Sequence, residues 1–218
     1  MANISAFRKE IQGDVPGCPP FMIDRAVVKT IIRFCRMTNR LQESFESSIL
    51  STDIDTSDND SVEIDLSAVS CMTDRIPLRV MYFAVDGSEY PVKELKLSTD
   101  ITDLESVINT SLRYFNFPDS STLKLFPFTA KAMKFFVRLA VQPSRTITTI
   151  DDFIYDKHLE AIEEGAKWRL FKMPGKVWSN KNDAKDAKRE FLKLCEEATI
   201  DVNRSFSQAD MIVADNFF

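Results

Sequence analysis

Residues 151–180, DDFIYDKHLEAIEEGAKWRLFKMPGKVWSN, decide how the rest of the chain is read. Tyr155, Leu159, Ile162, Ala166, Leu170 and Met173 recur at helical spacing, one apolar stripe on an otherwise charged segment. Asp151 and Asp152 place carboxylates in the first turn, where the helix dipole favours them. Ala161 and Gly165 add a patch of small residues that permits close approach of another helix. Pro174 and Gly175 stop the helix, and Ser179 or Asn182 can cap the next one. Ala184, Ala187, Phe191, Leu194, Ala198 and Val202 give that second helix its own stripe, to about Arg204. The stretch Met173–Asn180 is therefore a corner between two helices, with Pro174 and Gly175 reversing the chain and Trp178 pinning the turn.

A ligand-binding role for the same corner fails on residues. A phosphate loop needs G-x-x-x-x-G-K-[ST]; here position 170 is Leu and Val177 follows Lys176.

Working outward, a third amphipathic helix is expected over roughly Met22 to Ser48, after the VPGCPP loop. Ile23, Val27, Ile31, Phe34, Leu41 and Phe45 form its stripe, and Arg25, Lys29, Arg33, Arg36 and Arg40 make its outer face basic. Between these helices the period changes to two. Val62–Leu66 alternates, Asp86-Gly87 separates two β-prone runs as a hairpin signal, and residues 113–117, 122–128 and 134–144 read as further strands. Residues 102–109 read as a short helix.

The expected fold is α+β: a three-helix bundle (one N-terminal helix, two C-terminal helices) with an antiparallel β-rich insertion and an extended C-terminal tail. The helical domain takes residues 20–50 and 150–204, the inserted domain 60–148 and the tail 205–218. Three amphipathic helices bury their stripes against one another, so the β segment is an excursion from the bundle.

Composition narrows the function. The 218 residues carry a net charge of −5, which gives no overall electrostatic footprint for nucleic acid. The acidity is concentrated. Residues 41–74 contain Glu43, Glu46, Asp53, Asp55, Asp58, Asp60, Glu63, Asp65 and Asp74 and no Lys or Arg. Counted from Asp53, a calcium loop would need Gly at 58 and Glu at 64; those residues are Asp and Ile, so the motif fails and a solvated acidic loop is expected. The four cysteines are spread out without a CxxC pair, which suits a reducing compartment. The N-terminus has no apolar core of a signal peptide, and no apolar run reaches membrane-span length.

Catalytic signals are weak. His158 is the only histidine and, beside Lys157 and Glu160, reads as a surface residue. Glu160, Glu163 and Glu164 could supply paired carboxylates for a hydrolase, Glu160 and Glu164 sharing a helix face; Lys167 nearby favours a solvated face instead. No catalytic, cofactor-binding or metal-binding residue is expected, and the chain is not expected to be an enzyme.

Two blocks carry a family resemblance. VPGCPPFMIDRAVVKTIIRFCRMT (15–38) resembles the opening of bacteriophage head–tail adaptor (connector) proteins, where a cysteine–proline loop leads into a long helix. VQPSRTITTIDDFIYDKHLEAIEEGAKWRLFKMPGKVWSN (141–180) is similar to that family's second block, in which a strand ends in a "QPS" turn and a helix ends in an "mpg.pw" corner. The Asp86-Gly87 hairpin and LKLFPF (123–128) also fit, so the resemblance spans roughly residues 15 to 206.

The resemblance implies a structural virion protein, made in the host cytoplasm and placed at the head–tail junction. It would form a homo-oligomeric ring, commonly twelvefold, below the portal protein, seat the tail or nozzle proteins, and continue a channel through which DNA passes without sequence-specific binding. No membrane is implied. A tail-completion or terminator ring is the alternative within the same class. Under this reading the tail residues Met211, Ile212, Val213, Phe217 and Phe218 are candidates for docking on the portal or a neighbouring subunit. Asp53, Asp55, Asp58 and Asp60 are candidates for a channel-facing acidic loop, where like charge would keep DNA from adhering.

Overall fold

A computed structural model describes residues 1–49, 62–66, 72, 74–85, 93–94, 114–117, 122–126 and 133–210. The fold is mixed α+β, with four helices and largely antiparallel sheets among the described residues. The chain divides into two compact units, one of residues 1–40 and 142–218, the other of residues 41–141.

The first unit is helical. Strand β1 (Ala2–Asn3) pairs antiparallel with β9 (Thr149–Ile150) and leads into α1 (Ile4–Ile11). Asn3 caps α1 by accepting from the Ser5 N–H at 2.8 Å. Ile4, Phe7 and Ile11, at helical spacing, are buried. The loop after α1 turns at Val15–Cys18: the Cys18 N–H donates to the Val15 carbonyl, and Gly17 has φ +78°. Pro at the second and Gly at the third position suit a type II turn.

Helix α2 (Pro20–Thr38) buries Ile23, Val27, Ile31 and Phe34 as the periodicity required. It stops ten residues before the expected end at Ser48, because Asn39 adopts the left-handed conformation (φ 50°, ψ 28°) and its N–H bonds to the Cys35 carbonyl. That is the αL helix ending, for which Asn is the commonest residue after Gly. Leu41 is buried past the helix end, and Phe45 lies in a strand.

Helices α3 (Asp152–Phe171) and α4 (Lys181–Asp210) pack on each other and on α2, and α1 packs on α2 and α3. Helix α3 is not regular: His158 has non-helical angles (φ −128°, ψ 18°), so the helix kinks there. The buried face beyond the kink is Ala161, Ile162, Gly165, Ala166, Leu170 and Phe171; Tyr155, Leu159 and Met173 from the expected stripe are half-buried. Helix α4 buries Ala184, Ala187, Phe191, Cys195, Ala198 and Val202. It continues to Asp210, so residues 205–210, expected to be extended, are helical.

The second unit holds two sheets. In one, β2 (Gln42–Ile49), β8 (Met133–Pro143) and β4 (Arg75–Val85) lie in the order β2-β8-β4. Phe135 meets Phe45 edge-on at 6.4 Å and lies 5.7 Å from Phe83; Tyr82 and Phe136 pair at 6.0 Å. Glu43 and Arg75 form an ion pair. In the other sheet, β3 (Val62–Asp65), β7 (Thr122–Phe126), β6 (Tyr114–Asn116) and β5 (Lys93–Glu94) run in the order β3-β7-β6-β5. Its β5–β6 pair is parallel, whereas β3–β7 and β6–β7 are antiparallel. The Asp86-Gly87 turn and the expected helix at 102–109 lie outside the described residues.

Candidate functional site

Of the expected site residues, the described part of the chain contains the helical corner, Pro174, Gly175 and Trp178. Gly165 lies where α2, α3 and α4 come together. A Cβ on Gly165 would sit 2.3 Å from Thr30 Cγ2 and 2.7 Å from Phe191 Cδ2, far inside van der Waals contact. The glycine is thus a packing requirement, not a hinge: its missing side chain lets α3 approach one helix on each side. Thr30 is fully buried in α2, with its Oγ1 donating to the Ala26 carbonyl at 2.8 Å and accepting from Arg169 Nε at 3.2 Å.

The corner itself is held by the backbone. Helix α3 ends with the Lys172 and Met173 N–H groups on the carbonyls of Trp168 and Leu170. Pro174 and Gly175 follow on the surface, Gly175 at φ +72°, a conformation that costs a residue bearing a Cβ. The Phe171 carbonyl then accepts from both the Asn180 N–H (3.1 Å) and Ser179 Oγ (3.2 Å), closing the loop on the helix it left. Trp178 is buried, with Nε1 lacking a hydrogen-bond partner, while Val177 beside it is 92% exposed. The cap of α4 is Asn180, not Ser179 or Asn182. Its Oδ1 accepts from the N–H groups of Asn182 (3.0 Å) and Asp183 (3.4 Å), and its Nδ2 donates to Asp183 Oδ2 at 2.7 Å.

His158 is not a surface residue. At the kink of α3 it is half-buried, 4.9 Å from the Phe34 ring and edge-on to Phe153 at 6.4 Å, with Nε2 buried and unpartnered. Burial, then the positive charges of Arg40 and Lys157, lower its pKa to about 4, so the ring is neutral at pH 7. Among the described residues, none is placed as a hydrogen-bond partner of Nε2.

Of the carboxylates behind the hydrolase alternative, Glu164 is placed in an ion pair. Lys167 Nζ lies 2.5 Å from Asp14 Oδ2 and 3.2 Å from Glu164 Oε1, tying α3 to the turn after α1. Burial works to lower the Lys167 pKa, but its hydrogen bonds to Asp14 and Glu164 outweigh it and hold the value above that of an ordinary lysine. Burial raises Glu163, with Lys167 opposing. Glu160 is exposed.

Among the described residues, no group of three or more His, Cys, Asp or Glu side chains is placed to hold a metal ion. Cys18, Cys35 and Cys195 are buried, and burial pushes the Cys195 thiol up to about 12. No described helix is long and apolar enough to cross a membrane. The acidic loop residues Asp53, Asp55, Asp58 and Asp60, and the tail residues Met211, Ile212, Val213, Phe217 and Phe218, lie outside the described residues. Neither a protein-family model nor a curated protein matches the chain.

Proposed function

We propose that the chain is a structural head–tail adaptor of a tailed bacteriophage. In this reading its helices form a three-helix core (α2, α3 and α4) from which the β-rich segment is inserted. Copies assemble as a ring, twelvefold by the family's habit, between the portal protein and the tail or nozzle proteins at the head–tail junction, and DNA passes through the ring. The function is carried by protein–protein surfaces, with no chemical step and no membrane.

One observation supports the reading above the others. The two sequence blocks that carry the resemblance, 15–38 and 141–180, are separated by about a hundred residues of sequence, yet α2 of the first and α3 of the second pack directly together at Thr30 and Gly165. A resemblance distributed over two distant blocks has physical meaning when both build one core. The buried Trp178 and the double closure on the Phe171 carbonyl fit a rigid corner that can bear an assembly contact.

The direct test is a reconstruction of the infectious particle at the portal vertex. A ring of this chain between portal and tail is expected; its absence there, or a position at the far end of the tail, refutes the adaptor role. Deleting residues 211–218 spares α4 and removes Met211, Ile212, Val213, Phe217 and Phe218. DNA-filled heads without tails are expected, and normally tailed particles would refute docking by this segment.

A further inference from the structure

Trp168, half-buried on α3, gathers three cations around its indole. The Arg33 guanidinium of α2 lies 4.9 Å from a ring centroid, Lys188 Nζ of α4 5.7 Å, and the Arg169 guanidinium 5.9 Å. Arg169 is fixed in place, since its Nε donates to Thr30 Oγ1 and its Nη2 to the Lys29 carbonyl, both at 3.2 Å. Exposed Arg25 and Lys29 extend the same positive field along α2.

Several cations elsewhere on these helices are matched by a carboxylate. Arg8 pairs with Asp24, Lys167 with Asp14 and Glu164, Arg189 with Asp186 and Lys193 with Glu190. Among the described residues, Arg33, Arg169 and Lys188 have no such ion pair. Burial, and after it the charge of Arg33, holds Arg169 below the ordinary arginine value. The indole face attracts each cation by about 0.5–1 kcal/mol, but the cations repel one another, and an anionic partner would relieve that repulsion. Arg and Trp are also the side chains most enriched where binding energy concentrates.

We propose that this patch docks the acidic segment around Asp53, Asp55, Asp58 and Asp60 of a second copy of the chain. Charge complementarity selects the occupant: residues 41–74 carry nine carboxylates and no Lys or Arg. Each copy has one patch and one segment, so the contact is head-to-tail, the kind that closes into a ring when the rotation fits. The proposal rests on the ring reading and gives the acidic segment a neighbouring subunit, not the channel, as its partner. DNA is the weaker occupant, because a chain of net charge −5 with this acidic window repels phosphate.

The test uses the purified full chain in sedimentation velocity at about 0.01 M and about 1 M ionic strength, where the Debye length is about 30 and about 3 Å. Self-association at low salt, weakened at least tenfold at high salt, is expected. Two charge reversals follow: Arg33→Glu with Lys188→Glu, and Asp53, Asp55, Asp58 and Asp60 each →Lys. Arg169 is left intact because it bonds α2, and Arg33→Gln with Lys188→Gln serves as a milder pair with folding checked by circular dichroism. Each reversal alone should abolish association. Mixing the two reversed chains, or combining both reversals in one chain, should restore it. A wild-type chain that stays monomeric at low salt, a single reversal without effect, or a mixture that remains monomeric overturns the proposal. So does loss of duplex-DNA binding by the patch variant with self-association intact. These outcomes are read without portal or capsid, so they stand apart from success or failure of the adaptor test.

Discussion

Gly165→Ala is the most informative single substitution, because two opposing magnitudes can be set against each other. Alanine is favoured over glycine in a helix interior by about 1 kcal/mol, so on propensity alone the change would stabilise α3. The new Cβ, however, falls 2.3 Å from Thr30 Cγ2 and 2.7 and 2.9 Å from two Phe191 ring atoms. Neither neighbour can yield easily. Thr30 is fully buried, with its hydroxyl engaged by Ala26 and Arg169; Phe191 is fully buried and packs on Trp168 at 6.1 Å. Overpacking of this kind costs about 1–3 kcal/mol, and three close contacts on immobile partners put it at the top of that range. The net loss is then about 2 kcal/mol, a fall in Tm of about 4–8 °C for a chain of this size. Urea unfolding followed by circular dichroism reads it directly. Thr30→Ser sharpens the test by removing the Cγ2 methyl and keeping the hydroxyl. Alone it should destabilise by about 1 kcal/mol; in the Gly165→Ala background it should be neutral or stabilising, a coupling that independent sites do not show. A Gly165→Ala protein as stable as the parent, or strict additivity with Thr30→Ser, would refute the close three-helix junction.

Other expectations follow from the same helices. Asn180→Ala removes the cap of α4 and should cost about 1 kcal/mol, and Gly175→Ala should cost about 1–2 kcal/mol by forcing a Cβ into the left-handed region; chemical denaturation measures both. His158 has a folded pKa of about 4 against an ordinary 6.5, so the unfolded chain binds more protons in that window. Its contribution is present above about pH 6.5 and is lost as pH falls toward 4, by about 1 kcal/mol once discounted for the ring's partial exposure. His158→Phe should therefore flatten the stability profile between pH 4 and 6.5, and an unchanged slope would show that the ring is solvated. Cys195, pushed up to about 12 by burial, should resist alkylation at pH 8 in the folded chain and react once urea unfolds it, as peptide mass spectrometry can follow.

The helices and most strands were legible because their periods are set by burial on one face. Ile23, Val27, Ile31 and Phe34 specify α2, and Ala184, Ala187 and Phe191 specify α4, without knowledge of what they pack on. Boundaries were less legible where a local backbone choice overrides the pattern. Leu41 and Phe45 continue the helical spacing of α2, yet the left-handed Asn39 has already ended the helix, and the Thr38-Asn39 pair is the only sequence sign of it. Helix α1 has the Ile4, Phe7, Ile11 spacing behind Asn3, but eight residues carry too few apolar positions to fix a period. The placement of His158 could not be read from periodicity, since a kink rotates a residue off the face that an ideal helix assigns to it. The glycine at 165 announced a close approach, but which side chains fill the space is a property of three helices drawn from two ends of the chain.

The two ends of the 41–141 unit are joined to each other: the Val141 N–H donates to the Leu41 carbonyl at 2.9 Å, and Gln42 registers with Ala140. On the ribosome this imposes an order. Helix α2 emerges with only α1 made to pack on it, and α3 and α4, which cover the rest of its apolar face, lie beyond roughly a hundred further residues, about 5–20 s of synthesis. Pairing of the Leu41 and Val141 strands brings the early and late segments side by side before α3 and α4 dock, replacing a long loop closure with a short one. A chain that loses the Leu41–Val141 pairing is therefore expected to aggregate during translation even where the finished protein is stable, and the soluble fraction of a cell-free synthesis reads this.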